Sequence, residues 1–272
     1  MTDLAAALPR GIVLLGCGRM GGALLEGWLA RGLAPAAVAV LDPAPSARVR
    51  ELAEAGLRLN PRTPPPADAC VLAVKPQIMA EAAPRVAPLA RRGTLFLSIA
   101  AGTPLRFFEG LFPGAAIVRA MPNTPAAVGR GIAAVIGNAA ASEAQVALAE
   151  TLLGAVGETV RLSDEAQMDA VTAVSGSGPA YVFHMIEALA AAGEAEGLPA
   201  DLAMRLARAT VIGAGELARR SPQSARELRV NVTSPGGTTA AALAVLMGDK
   251  GLTELMKRAV AAAAARSREL AG

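Results

Sequence analysis

Short apolar runs alternate with longer amphipathic stretches through the first three-fifths of the chain. The runs Gly11 to Leu15, Ala37 to Leu41, Ala69 to Val74, Thr94 to Ile99, Ala116 to Ala120, Ile132 to Ile136 and Thr159 to Leu162 have strand length. Each is apolar almost throughout, as expected of a parallel strand covered on both faces. Helical periodicity fills most gaps, over about 19 to 31, 46 to 56, 77 to 90 and 142 to 154. Pro84 and Pro88 fall inside the third, where proline removes a backbone donor and clashes with the preceding turn, so that helix is expected to break. Strand and helix in alternation predict βαβ units and a largely parallel sheet.

After Ser163 the strand pattern stops. Alanine- and leucine-rich helical periodicity continues over about 164 to 174, 179 to 196, 199 to 220, 239 to 247 and 251 to 270, with a loop at Ser221-Pro222-Gln223-Ser224. Small side chains let such helices approach closely, and the apolar surface left over is expected to be completed by a second copy of the chain. The division drawn from this change is residues 1–163 and 164–272.

Composition narrows the functional classes. Across 272 residues, 26 basic and 23 acidic side chains give a formal charge of +3, and only 3% of residues are aromatic. The basic residues are scattered, without the stripe or stacking platform a nucleic-acid binder needs, so no nucleic-acid partner is expected. Although 53% of residues are hydrophobic, no uninterrupted strongly apolar run of about 18 residues is present and no membrane span is expected. Met1 to Arg10 lacks the basic start and apolar centre of a secretory leader, and the expectation is a soluble, cytoplasmic protein. Cys17 and Cys70 form no CxxC pair and have no histidine at metal-binding spacing, so no metal site is expected.

Two glycine-rich turns carry the chemistry. Gly16-Cys17-Gly18-Arg19-Met20-Gly21 follows the first strand run and opens a helix, the context a dinucleotide pyrophosphate requires. Gly16 permits the tight turn, Gly18 lets backbone approach phosphate, and Gly21 or Gly22 lets helix and strand pack closely. Asp42 ends the second run, where a carboxylate accepts hydrogen bonds from the adenosine ribose and repels a 2′-phosphate. Ser46, Arg48 and Arg50 lie just beyond it as potential phosphate partners, so charge pattern leaves NAD and NADP both open. Lys75, in Ala73-Val74-Lys75-Pro76, is either a cation at the ligand-binding edge of the sheet or a solvated loop residue. Near the other end, Ser234-Pro235-Gly236-Gly237-Thr238-Thr239 feeds hydroxyl residues into an apolar helix. Amides and hydroxyls converge there in the manner of a helix start that binds a small carboxylate, with Ser234, Gly236, Gly237 and Thr238 as its donors.

Several segments together resemble pyrroline-5-carboxylate reductases over nearly the whole chain. They are Gly16-Cys17-Gly18-Arg19-Met20, Ala73-Val74-Lys75-Pro76, Ser98 to Gly102, Arg119-Ala120-Met121-Pro122-Asn123-Thr124-Pro125, Ser175 to Tyr181 and Val232 to Leu243. The last is the most specific; the first is shared with many reductases. The resemblance implies an α/β fold, a Rossmann-type dinucleotide-binding domain followed by an all-α dimerisation domain. It implies hydride transfer from NADPH, with NADH as the other possibility, to 1-pyrroline-5-carboxylate, giving L-proline in the final step of proline biosynthesis. By the same resemblance the cofactor is held by Leu15, Gly16, Cys17, Gly18, Arg19, Met20, Ala73, Val74, Lys75, Pro76, Ile99, Ala100 and Ala101. Asn60 contacts its adenosine side, and Asp42 places the family's usual NADPH preference in question. Thr239 matches the threonine that hydrogen-bonds the imine nitrogen. Interlocked dimers are implied, gathered into a larger ring such as a decamer.

Imine reduction demands no strong acid, because an iminium held about 3 to 3.5 Å from a nicotinamide is already a good electrophile. That suits a chain whose only histidine, His184, lies in a helix without an evident carboxylate partner. A β-hydroxyacid dehydrogenase of similar architecture needs a base, usually a lysine, on the helix after its Gly-Ser-Gly turn; Tyr181 to Gly193 contains none. A non-catalytic nucleotide sensor with this fold has no use for the Gly-Gly-Thr-Thr turn.

Overall fold

The computed structural model describes residues 4–270. Contacts gather these into two compact units, one running to Gly176 and taking in the chain from Ala264 onward, the other spanning Ser177–Ala263.

The first unit is built on one sheet of eight strands among the described residues: β1 (Ile12–Leu15), β2 (Val38–Leu41), β3 (Arg58–Leu59), β4 (Ala69–Leu72), β5 (Leu95–Ser98), β6 (Ile117–Met121), β7 (Gly131–Gly137) and β8 (Gly157–Arg161). Their order is β3-β2-β1-β4-β5-β6-β7-β8, and only the β6–β7 pairing is antiparallel. Successive strands are added outward on one side from β1 to β3 and then on the other side from β4, and the crevice at the carboxyl ends of the parallel β1 and β4 is where such sheets bind ligands.

Period-two geometry distributes the apolar runs to two cores. Ile12, Leu14, Val38, Val40, Val71 and Leu97 face one side; Val13, Leu15, Leu41, Leu72, Phe96 and Ile117 face the other. The first core is covered by α2 (Arg19–Ala30), α3 (Ala47–Glu54) and α6 (Glu143–Leu153), with Trp28 fully buried and its indole N–H donating to Leu152 O at 2.9 Å. The second is covered by α4 (Pro76–Ala82) and α5 (Leu105–Leu111), with Phe96 and Phe112 stacked at 4.2 Å. A further short helix, α1 (Leu4–Ala7), precedes β1.

The expected break at Pro84 and Pro88 occurs: α4 ends at Ala82 and gives way to 3-10 turns at Ala83–Arg85 and Ala87–Arg92. The helix expected over 164 to 174 is instead a 3-10 turn, the four-residue α7 (Met168–Val171) and a π-turn at Thr172–Gly176. This segment belongs to the sheet-bearing unit because polar side chains tie it there. Glu165 accepts from the buried Arg119 at 2.6 Å and from Leu105 N at 2.8 Å, while Asn123 Nδ2 donates to Ser175 O and Oγ, each at 3.3 Å. Secondary structure therefore changes near residue 163, but compactness changes near residue 176.

The second unit consists of α8 (Gly178–Ala195), α9 (Ala200–Arg220), α10 (Ala225–Asn231), α11 (Thr238–Leu246) and the first part of α12 (Leu252–Leu270). Helices α8 and α9 pack through Ala190, Ala203 and Ala207, and a methyl group on Gly193 would lie only 3.3 Å from Ala203 Cβ. Much of the remaining apolar surface is bare; Phe183 is 61% and Ile212 60% exposed. Among the described residues no helix is long and apolar enough to cross a membrane.

Candidate functional site

At the carboxyl edge of the sheet, β1 runs directly into the first glycine turn. Gly16 N donates to Leu41 O and Ala73 N to Leu15 O, both at 2.8 Å, so the turns after β1 and β4 are stitched together. Gly16 has φ +87, and a side chain there would collide with Val74 Cγ1 at 2.7 Å. A Cβ on Gly21 would sit 2.6 Å from Gly16 O, whereas one on Gly18 meets nothing within 4 Å. Two glycines thus answer to protein packing and the third leaves open, exposed backbone. Gly18 also forms the N-cap of α2 and offers no side-chain cap, so the first-turn amides of α2 are available to an anion. An open cradle beside uncapped amides fits a dinucleotide pyrophosphate.

The neighbouring residues are held by hydrogen bonds. Asp42 Oδ2 accepts from Cys17 N at 2.7 Å and Oδ1 from Ala44 N at 2.8 Å. Asn60, at φ +47, closes on Asp42 from the far side: its Oδ1 accepts from Asp42 N at 2.9 Å and its Nδ2 donates to Asp42 O at 2.7 Å. In the protein as it stands, Asn60 braces the backbone of Asp42. Burial, followed by the nearby Asp42 and Glu26 carboxylates, pushes the Cys17 thiol up to about 11, which leaves it protonated and unreactive near neutral pH. Ile99 N donates to Leu72 O at 3.2 Å and Ala100 N to Ser98 Oγ at 3.2 Å, fixing Ile99-Ala100-Ala101 beside the β4 turn. Lys75 is exposed and makes no ion pair among the described residues. The structure therefore brings Leu15 to Met20, Asp42, Asn60, Ala73 to Pro76 and Ile99 to Ala101 to one edge of one sheet.

In the second unit the Ser234 to Thr239 turn is strung between α10 and α11. Thr233 Oγ1 donates to Arg229 O at 2.6 Å, anchoring the approach to the last turn of α10. Gly236, at φ +71, reverses the chain, and Gly237 N donates to Ser234 O at 3.0 Å. Gly237 then caps α11 without any side-chain hydrogen bond. Among the described residues the hydroxyls of Ser234, Thr238 and Thr239 make no hydrogen bond within the protein; Ser234, Gly236 and Thr238 are exposed, Gly237 and Thr239 half-buried. Uncapped first-turn amides and three unengaged hydroxyls in six residues are the donors a carboxylate takes.

His184 departs from the sequence expectation. Its Nδ1 lies 3.1 Å from Glu187 Oε2, one helical turn along, with side chains 80% and 70% exposed. The pair sits on the open face of α8, not in a closed acid–base site. No cluster of three or more His, Cys, Asp or Glu side chains placed to hold a metal ion occurs among the described residues. Sequence reasoning missed the π-turn and its Asn123 brace. Their signals were the polar Asn123 just past the end of β6 and the glycine-flanked Ser175.

A family model described as pyrroline-5-carboxylate reductase dimerisation matches residues 165–270, and one described as NADP oxidoreductase, coenzyme F420-dependent, matches residues 11–102. A pyrroline-5-carboxylate reductase of Pseudomonas aeruginosa is 42% identical over 97% of both chains. Among solved structures, a pyrroline-5-carboxylate reductase from Coxiella burnetii superposes with a TM-score of 0.90 at 34% identity, covering 97% of this chain and 99% of its own. One from Plasmodium falciparum with NADP bound gives 0.79 at 28% identity, over 97% and 98%. With relatives of this identity aligned over 97% of its length and a dimerisation module matched at residues 165–270, the chain belongs to the pyrroline-5-carboxylate reductase family.

Proposed function

We propose that this protein reduces 1-pyrroline-5-carboxylate to L-proline, the last step of proline biosynthesis, as an NAD(P)-dependent oxidoreductase. The observation that carries the reading furthest is the start of α11, with its uncapped amides and the unengaged hydroxyls of Ser234, Thr238 and Thr239, in a chain 97% of which aligns with a member of the family. A nicotinamide dinucleotide, NADP or NAD, supplies the hydride when bound.

The chain's own groups do the rest. Ser234, Gly236, Gly237 and Thr238 grip the substrate carboxylate, aided by the positive end of α11, worth about 0.3 to 1 kcal/mol. The Thr239 hydroxyl, one residue into the same turn, hydrogen-bonds the ring nitrogen and holds the imine in one orientation. Hydride adds to the imine carbon, the C=N π pair moves to nitrogen, and nitrogen carries a proton taken from solvent. Backbone of Gly16, Cys17, Gly18, Arg19 and Met20 holds the pyrophosphate; Leu15, Asp42, Asn60, Ala73 to Pro76 and Ile99 to Ala101 shape the rest of the dinucleotide site. The exposed pairing of His184 with Glu187 suits a reaction without a general acid on α8.

Residues 1–163 act as the dinucleotide-binding part and 164–272 as the dimerisation and substrate-binding part. The bare apolar faces of α8 and α9 are the surface a second copy covers, and dimers assemble further, into a larger homo-oligomer such as a decamer. The protein works in the cytoplasm. The test is consumption of reduced nicotinamide on adding 1-pyrroline-5-carboxylate, with an equal yield of proline. Substrate-independent absorbance would overturn the reading in favour of a nucleotide sensor.

A further inference from the structure

The segment from Glu165 to Gly176 is held at three points. Glu165 accepts from Arg119, Asp169 Oδ1 accepts from the buried Ser267 Oγ at 2.6 Å, and Ser175 takes two bonds from Asn123. Its last five residues form the π-turn Thr172–Gly176, a rare geometry that occurs mostly as single turns and often at functional sites. Residues at the carboxyl end of β6 meet this turn. Asn123 Oδ1 accepts from Ile132 N at 3.0 Å; since that N–H can only donate, the amide nitrogen is the end that faces Ser175. A Cβ on Gly176 would lie 2.5 Å from Met121 Cε, so glycine there lets the turn sit close over the end of the strand.

That end of β6 borders the nicotinamide half of the dinucleotide site. With adenosine at Asp42 and Asn60, after β2 and β3, and pyrophosphate over the turn after β1, the order β3-β2-β1-β4-β5-β6 leaves the nicotinamide on the side of β4, β5 and β6. Ser98 of β5 pairs in parallel with Arg119 of β6, so Ile99-Ala100-Ala101 and Met121-Pro122-Asn123 leave the sheet side by side. Ser175 is half-buried and accepts at Oγ from Asn123 Nδ2; among the described residues its own O–H has no acceptor within the protein. One hydroxyl is thus fixed in place with its proton free to donate.

We propose that the Ser175 hydroxyl donates to the carboxamide oxygen of the nicotinamide and that Asn123 is a positioning residue acting through Ser175. The proposal rests on the reading of the first unit as a dinucleotide site. Asn123 supplies an N–H to the serine oxygen, which leaves the O–H for the ligand. A carboxamide held in this way keeps the nicotinamide ring from swinging, and hydride transfer needs the reacting atoms about 3 to 3.5 Å apart. Neither residue takes part in holding pyrophosphate or adenosine, so the two halves of the ligand can be tested separately.

The test is isothermal titration calorimetry of the full chain with NADPH and with 2′-phospho-ADP-ribose, which lacks the nicotinamide, alongside kcat and KM. Wild type should bind NADPH the more tightly. Ser175→Ala and Asn123→Ala should each weaken NADPH about fivefold, leave 2′-phospho-ADP-ribose within about twofold, and lower kcat about tenfold or more. Asn123→Asp keeps an acceptor for Ile132 N but takes the Ser175 O–H for itself, so it should act as Ser175→Ala does, and it carries the expectation if Asn123→Ala does not fold. Asn138 braces the other end of β6, accepting from Ile117 N at 3.0 Å and donating to Ala115 O at 3.2 Å. Asn138→Ala should lower the urea midpoint and leave both affinities within about twofold. Equal binding of the two ligands by wild type, or an NADPH affinity indifferent to Ser175 and Asn123, would overturn the proposal and leave the dinucleotide site standing. Failure of both ligands to bind would overturn the two together.

Discussion

Gly16 and Gly18 lie two residues apart in one turn, yet an added methyl should damage different properties. At Gly16 the backbone is at φ +87 and the new Cβ would lie 2.7 Å from Val74 Cγ1 and 3.0 Å from the Ala73 carbonyl. Left-handed backbone costs a non-glycine residue about 1–2 kcal/mol and overpacking about 1–3; the stiffer unfolded chain returns less than about 1. Gly16→Ala should therefore lose about 3 kcal/mol in urea unfolding. At Gly18 a Cβ meets nothing within 4 Å, and the residue sits at φ −72, which alanine adopts freely. Gly18→Ala should stay within about 1 kcal/mol of wild type. Its methyl nevertheless occupies the space where phosphate must approach backbone. Losing one charge-assisted hydrogen bond, about 1.5–3 kcal/mol, corresponds to a roughly ten- to hundredfold weaker dinucleotide. Paired urea curves and dinucleotide titrations check both halves. A Gly18→Ala protein that binds the dinucleotide as tightly as wild type would refute the placement of the pyrophosphate over this turn.

Other expectations follow from single groups. Thr239→Ala should lower turnover about ten- to a thousandfold while leaving dinucleotide affinity nearly unchanged, which steady-state kinetics and titration together resolve. Trp28→Phe should cost about 1–3 kcal/mol in urea unfolding, because the fully buried indole fills the core and donates to Leu152 O, and phenylalanine replaces neither the lost ring volume nor that hydrogen bond. The Cys17 thiol, raised to about 11, should react with an alkylating reagent far more slowly at pH 8 than a free cysteine. Because its folded value lies above the unfolded one, its contribution to stability is complete below about pH 8.5 and falls as pH rises toward 11; pH-dependent unfolding of wild type and Cys17→Ala measures the difference.

The parts of the fold legible in the sequence are those whose signal is local. Seven strands were expected where strands are found, because runs such as Val38 to Leu41 and Ala69 to Leu72 are buried on both faces and must be apolar throughout. β3 escaped notice: Arg58–Leu59 is two residues long and its pairing depends on β2. Helix α5 follows Pro104 in a stretch too short to show a period, and α10 is set by a capping box between Ser224 and Glu227 whose serine also closes the Ser221-Pro222-Gln223-Ser224 loop signal. Within the candidate site, contiguous motifs announced themselves through glycine and hydroxyl spacing. Braces between distant residues did not. Nothing in the chain near Asn60 says that its amide meets Asp42, or that Asn123 reaches Ser175 across 52 positions; those contacts exist only once sheet register places the turns side by side.

A crystal grown with L-proline and a nicotinamide dinucleotide tests most directly whether a carboxylated ring is seated at the start of α11. The proline carboxylate should lie on the amides and hydroxyls of Ser234 to Thr238, with the ring nitrogen on Thr239. Proline bound elsewhere, with this turn closed by protein packing, would contradict that placement.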